Sequence, residues 1–252
     1  MEKTTFKNKV VIVTGASAGI GAAIAVAFAK EGASVVLVGR NEEKLKRVAD
    51  ECKAFGSTVL ILKADVSNSA DLAKIIPETI EKFGKLDVLV NNAGILRRCS
   101  LEAGSFVNAF EEILATNLRP IVTLTETATP HLIASKGNVV NISSVAGTKV
   151  LTSEYTAYSM LKAALNTFSR GAALELGKHG VRINSVSPGP VKTEIFALAG
   201  FNVPYEEIGI PTALNCWGEP EDIADLVLFI ASDKAKSVTG SNYVADNGCL
   251  LY

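Results

Sequence analysis

The chain of 252 residues is 48% apolar and 20% charged, a globular balance that excludes disordered, collagen-like and low-complexity classes. Its 25 basic and 26 acidic side chains sum to −1, so no global field draws it to nucleic acid or to an anionic membrane. No apolar run approaches the roughly 18 residues of a bilayer span, the opening MEKTTFKNK carries no hydrophobic signal core, and the four cysteines lie far apart; a cytoplasmic protein with no metal site, disulfide framework or membrane partner is expected.

The elements then follow in a single rhythm. Residues 10–14 (VVIVT) form a β-branched run with nothing polar before its end, which suits a strand buried on both faces. A helix follows over 19–30, with Ile20, Ile24, Ala27 and Phe28 at helical spacing. Further strands are predicted at 34–38, 58–62, 86–90, 138–142, 181–186 and 241–245. Between them lie predicted helices at 42–55, 70–83, about 106–133, 155–178 and 221–231, with Pro120 and Pro130 kinking or interrupting the longest. Short strands separated by helices of this length build a parallel sheet covered on both faces. No linker or change of composition divides the chain, so residues 1–252 read as one doubly wound α/β domain of Rossmann type with seven strands. The one aperiodic stretch is 188–217, and compact domains rarely leave so long a segment structureless without a functional reason.

The first strand runs into Thr14-Gly15-Ala16-Ser17-Ala18-Gly19-Ile20-Gly21 and directly into a helix. Glycines there let the backbone turn tightly and approach a pyrophosphate, while the uncapped helix amides and the positive end of the helix dipole receive the anion. The spacing is GxxxGxG rather than GxGxxG. The same residues also spell G-x-S-x-G, the nucleophile elbow of serine hydrolases, which would make Ser17 the nucleophile. That chemistry needs a histidine base, and only His131 and His179 are available. Both readings stay open on these residues alone.

The end of the second strand bears on which dinucleotide is preferred. An acidic side chain there would accept the ribose hydroxyls of NAD(H); this chain has Gly39-Arg40-Asn41 instead. Arginine offers a fork of donors to the extra 2′-phosphate of NADP(H), although a solvated arginine opening a charged helix looks the same in sequence.

Tyr158 and Lys162 stand four apart in a predicted helix and therefore share a face. A neighbouring ammonium would stabilise a phenolate and lower the phenol pKa from its ordinary value near 10, which favours proton transfer. The fifth strand ends in Asn141-Ile142-Ser143-Ser144, fourteen residues upstream of Tyr158 at the closer serine. Ligands of parallel sheets bind at the carboxyl ends of strands, so a serine hydroxyl there is placed to hold a carbonyl oxygen that Tyr158 protonates.

With these motifs in order, the whole chain resembles the short-chain dehydrogenase/reductase family. The resemblance runs from Thr14-Gly15-x-x-x-Gly19-x-Gly21 through Asp65, Asn91-Asn92-Ala93-Gly94, Asn117, Ser144, Tyr158-x-x-x-Lys162 and Pro188-Gly189 to the last strand. It implies a catalytic set of Asn117, Ser144, Tyr158 and Lys162, with Ser143 the structural alternative to Ser144. It implies cofactor contacts from Gly15, Ser17, Gly19, Ile20, Gly21, Arg40, Asp65, Val66, Asn91, Ala93, Gly94, Tyr158, Lys162, Pro188, Gly189, Val191 and Thr193. The implied reaction passes hydride from the nicotinamide to a carbonyl carbon while Tyr158 protonates the oxygen, Lys162 holds the ribose and Asn117 holds a water. Arg40 matches members that use NADP(H), with NAD(H) the alternative.

By the same resemblance, 188–217 is a variable substrate lid. Its apolar residues, among them Ile195, Phe196, Leu198, Phe201, Val203, Tyr205, Ile208, Ile210, Leu214 and Trp217, suit a largely apolar carbonyl or alcohol such as a 3-oxoacyl thioester, a steroid or terpenoid ketone or a xenobiotic. Family members are often homotetramers joined through the helices that here carry Asn117 and Tyr158. Two departures from the family pattern stand out: Asp246-Asn247-Gly248 where Asp-Gly-Gly is common, and a basic pair, Arg97-Arg98, that either meets an anionic substrate or is simply solvated. A non-catalytic NADP(H) sensor remains as a further reading, although a sensor has no need of a proton donor.

Overall fold

The computed structural model describes residues 5–200 and 207–252. Seven parallel strands form one sheet in the order β3-β2-β1-β4-β5-β6-β7. They are β1 (Val10–Thr14), β2 (Ser34–Gly39), β3 (Val59–Lys63), β4 (Val88–Asn91), β5 (Asn138–Ile142), β6 (Arg182–Pro188) and β7 (Asn242–Ala245). The helices are α1 (Gly19–Lys30), α2 (Glu42–Ala54), α3 (Ser69–Phe83), α4 (Phe106–Asn117), α5 (Arg119–Ser135), α6 (Thr156–Leu176), the single turn α7 (Ile195–Leu198) and α8 (Pro220–Ala231).

Period-two alternation divides the strand residues between two cores. Val11, Val13, Val35, Leu37, Val88 and Val90 face α1, α2 and α8 through Ile24, Phe28, Leu45, Ile223 and Val227. Val10, Ile12, Val36, Val38 and Leu89 face the opposite way onto Leu72 and Ile75 of α3, Leu124 and Leu132 of α5 and Leu176 of α6. Both faces are covered, which is why β1 and β2 are runs of apolar residues rather than alternating with polar ones, while β5 and β6 bury polar side chains such as Asn141, Asn184 and Ser187.

The expected long helix is two helices. Leu118, at φ −128° and ψ −53°, breaks it, and Pro120 follows in the first turn of α5. A ring that has no N–H is tolerated there because the first helical amides have no partner within the helix. Pro130 lies inside α5 without interrupting it. Among its described residues the aperiodic stretch carries the short helix α7, and a parallel bridge joins its Val191 to Gly218. Phe201, Val203 and Tyr205 lie outside the described residues.

Candidate active site

The strand order turns back at β1, which lies between β2 and β4, and the candidate site opens at the carboxyl edge of the sheet beside that point. A cavity of about 580 Å³ and a narrower one of about 220 Å³ share Ile20, Asn92, Gly94, Thr193 and Ile195 in their walls, so they form one groove.

The narrow end of the groove is built from backbone. Gly15 and Gly19 have φ of +66° and +54°, conformations that a side chain would strain. A Cβ at Gly21 would stand 2.3 Å from the Gly15 carbonyl oxygen, and one at Gly15 would stand 2.9 Å from the Cα of Ala93. The turn is pinned from the side: the Asn92 side-chain amide donates to the Thr14 carbonyl at 2.9 Å, while the Asn92 and Ala93 amides donate to the Thr14 hydroxyl at 2.9 and 3.0 Å. The helix α1 begins at Ala18 with no side-chain cap, which leaves its first amides for an anion. These residues fit a dinucleotide pyrophosphate. Ser17, Gly19 and Ile20 also line this part of the groove.

Arg40, Asp65 and Val66 line the narrow end where β2 and β3 finish. The Arg40 guanidinium is largely exposed and lies 3.9 Å from the Asp65 carboxylate. Burial at Asp65 disfavours the charge, but hydrogen bonds from the Ser67 hydroxyl and amide, aided by Arg40, outweigh it and hold the carboxyl below its ordinary range.

The wide end carries Ser143, Ser144, Tyr158 and Lys162 on its walls. Parallel β5 delivers the serines to the carboxyl edge, and α6 presents Tyr158 and Lys162 on one face. Lys162 is buried, donates to the Ile142 carbonyl at 2.7 Å, and places its Nζ 5.6 Å from the centre of the Tyr158 ring. Burial pushes the Tyr158 phenol up to about 12, and the Ser144 hydroxyl hydrogen-bonded to it pulls the other way. Burial also brings the Lys162 ammonium down to about 8. The expected lowering of the phenol pKa by the lysine is therefore absent here: the ammonium is turned to a carbonyl, and loss of solvent dominates both groups. A phenol in this state carries its proton at neutral pH, as an ordinary phenol does, and holds it more tightly. Ser143 sits deeper, its hydroxyl donating to the Lys162 carbonyl at 3.3 Å, so the two serines have different work.

Other expected residues are placed as follows. Pro188, Gly189, Val191 and Thr193 line the wide end, and Ala93 and Gly94 line the narrow one. The Asn91 side chain instead turns into the sheet, donating to Asn141 at 2.8 Å, and Asn92 takes the groove wall. The Asn117 side chain brackets Ile95: its amide donates to the Ile95 carbonyl and its oxygen accepts from the Ile95 amide, each at 2.8 Å. Arg97 pairs with Glu112 at 2.8 Å and Arg98 with Glu154 at 3.6 Å, so the basic pair is held by carboxylates. Ile195, Phe196, Ile208 and Ile210 of the aperiodic stretch line the wide end, as does Tyr252 from the far end of the chain. Tyr252 had no signal in sequence, because its place depends on the whole fold.

The hydrolase geometry fails on topology. His131 and His179 precede β5 and β6 and so lie at the amino edge of the parallel sheet, opposite the edge where Ser17 follows β1. Neither histidine lines the groove.

Comparison with known proteins agrees with this arrangement. A family described as enoyl-(acyl carrier protein) reductase matches residues 15–249. The 2,5-dichloro-2,5-cyclohexadiene-1,4-diol dehydrogenase of Sphingobium indicum is 38% identical over 245 residues, covering 96% of each chain. A short-chain dehydrogenase/reductase of unknown function from Caenorhabditis elegans, solved with cofactor, superposes with a TM-score of 0.91 at 34% identity, covering 98% of this chain and 97% of that one. A short-chain dehydrogenase from Burkholderia cenocepacia in complex with NADP has the same TM-score of 0.91 at 30% identity, covering 98% of this chain and 99% of that one. No helix among the described residues is long and apolar enough to cross a membrane.

Proposed function

We propose, from the premise that this chain belongs to the short-chain dehydrogenase/reductase family and is an oxidoreductase, that it uses NADP(H) to interconvert a largely apolar carbonyl compound and its secondary alcohol. The observation that carries this reading is the meeting of Tyr158, the Ser144 hydroxyl and buried Lys162 on one wall of a groove that runs back to the uncapped glycine turn. Bound nicotinamide supplies or accepts the hydride. Tyr158 gives its proton to the carbonyl oxygen, and Ser144 holds that oxygen in place. Lys162 holds the nicotinamide ribose, and Asn117 keeps a water within reach of Lys162 through its main chain, because its side chain is engaged with Ile95.

Arg40 supports NADP(H) over NAD(H), by an exposed guanidinium at the end of β2 with a carboxylate only at 3.9 Å. Among solved neighbours one holds NADP, an L-sorbose reductase holds NADPH and a 7α-hydroxysteroid dehydrogenase holds NADH, so the preference rests on Arg40. Leu96, Ile195, Phe196, Ile208 and Ile210 support an apolar substrate, with the described residues of 188–217 acting as its lid. Exposed Val107 on α4 and Leu174 on α6 support a homotetramer joined through those helices.

The test is the loss of reduced-cofactor absorbance, NADPH and NADH side by side, against cyclic ketones, a steroid ketone, an isoprenoid aldehyde and a 3-oxoacyl thioester. Turnover with NADPH on one class is expected, and Arg40→Ala should weaken NADPH binding about tenfold while sparing NADH. Equal losses for both cofactors would remove the NADP(H) assignment. Tight NADPH binding without turnover on any carbonyl would favour a sensor.

A further inference from the structure

Glu194 stands between Thr193 and Ile195 in the segment that follows β6, immediately before α7. Its carboxylate meets Lys44 of α2, with the Lys44 Nζ donating to both carboxylate oxygens at 2.7 Å. Glu194 lines the narrow end of the groove, and Lys44 stands on α2, one helical turn beyond Arg40, which lines it too. Arg40 lines that end together with Gly15, Gly19 and Asp65, and Thr193, Glu194, Ile195 and Leu198 from the segment after β6 line it as well. The Lys44 backbone is fixed in its place, because its amide donates at 3.0 Å to the Asn41 side chain that caps α2.

The rest of this segment is tied to its own side of the molecule. The Gly218 amide donates to the Pro190 carbonyl, the Lys192 amide donates to the Gly218 carbonyl, and the Lys192 ammonium meets the Glu219 carboxylate. The crossing contact has a different consequence. Thr193 lies so close over the phosphate turn that a Cβ at Gly19 would stand 3.0 Å from its methyl carbon. The segment that carries Glu194 thus lies against the turn on which a dinucleotide would be seated.

We propose that Lys44 and Glu194 form an electrostatic latch that holds the segment after β6 across the cofactor groove and slows release of the cofactor. The proposal rests on the cofactor-binding reading above but not on any substrate or on NADP(H) preference. Both groups are positioning residues that act through the segment they join. The pair is partly solvated, with 38% of the lysine and 57% of the glutamate side chain exposed, so its strength is modest and salt-sensitive.

The experiment is stopped-flow dissociation of NADPH and of NADH from the full chain, displaced by excess oxidised cofactor, at low and high salt. Lys44→Gln and Glu194→Gln should each raise the dissociation rate about two- to fivefold, equally for the two cofactors, and flatten its salt dependence. The charge-exchanged double variant, Lys44→Glu with Glu194→Lys, should restore both the slow release and the salt dependence. Melting temperatures without cofactor should stay within about 2 °C of wild type, since both side chains are at the surface. Unchanged release in the single variants, or a double variant no slower than the singles, would overturn the latch. So would a loss confined to NADPH in Lys44→Gln with tighter NADPH binding in Glu194→Gln, the pattern of a lysine that meets the 2′-phosphate directly. Wild-type protein that binds neither cofactor would instead remove the functional reading beneath it.

Discussion

The two ends of the groove are built from different materials. At the narrow end the shape is set by main chain: glycines at positive φ, an uncapped helix start, and Asn92 and Ala93 fastened to Thr14. At the wide end it is set by side chains that converge from the segment after β4, from the end of β5, from α6, from the segment after β6 and from the far end of the chain. A site made of backbone tolerates no added atom, whereas a site made of side chains can change its contents while the walls stand. The first suits a ligand that never varies and the second a ligand that does. The phenol proposed as proton donor, Tyr158, belongs to the second kind, and it is where the contrast can be broken most sharply.

Tyr158→Phe keeps the ring and removes the proton. Turnover should fall by at least about a thousandfold, with NADPH affinity and melting temperature almost unchanged. A variant with a tenth of wild-type activity would show that the proton comes from elsewhere, and the wide end would lose its chemical role. In wild type the phenol, pushed up to about 12, stays protonated through the neutral range. Carbonyl reduction should therefore not be limited by Tyr158 between pH 6 and 9, whereas alcohol oxidation, which needs the phenolate, should rise with pH.

The narrow end makes the opposite prediction, of smaller size. Gly21→Ala adds one carbon 2.3 Å from the Gly15 oxygen and 2.4 Å from the Asn92 amide nitrogen. Since that nitrogen also pins the turn, the strain spreads to β4, and the fold should lose about 2–3 kcal/mol by urea denaturation together with most of its cofactor affinity. Stability and affinity within error of wild type would mean that the turn yields and that the backbone does not set this end of the groove.

The same contrast explains what was legible in sequence. Positions where physics admits few residue types announce themselves: apolar runs buried on both faces, Gly15 and Gly19 at positive φ, and Tyr158 and Lys162 one helical turn apart. The strand count and the doubly wound parallel sheet follow from those local signals alone. What was not legible depends on distance along the chain. Lys44 and Glu194 are 150 residues apart, and each by itself is an ordinary surface charge. The break at Leu118 was half visible, since Pro120 announces a disturbance but not whether it bends or ends the helix. The direction of Lys162 was hidden for another reason. Spacing places it on the face of Tyr158, yet its ammonium finds the Ile142 carbonyl, and only packing decides between the two partners.

That choice has a measurable cost to the fold. Lys162 is buried, with an ammonium that loss of solvent brings from an ordinary 10.5 down to about 8. Between those two values the unfolded chain binds more protons than the folded one, so stability from this group rises as pH rises through the window. Below pH 8 the folded protein carries the charge at a loss. Lys162→Met, which keeps the length and removes the charge, should therefore be more stable than wild type at pH 7, by about 1–2 kcal/mol in urea, and inactive. The gap should narrow from pH 8 to 9.5, where the wild-type lysine sheds its proton; Tyr158, present in both proteins, leaves the gap unchanged. A gap that stays constant with pH would mean that the ammonium is paid for by its hydrogen bond to Ile142, and that the wide end, like the narrow one, is held without strain.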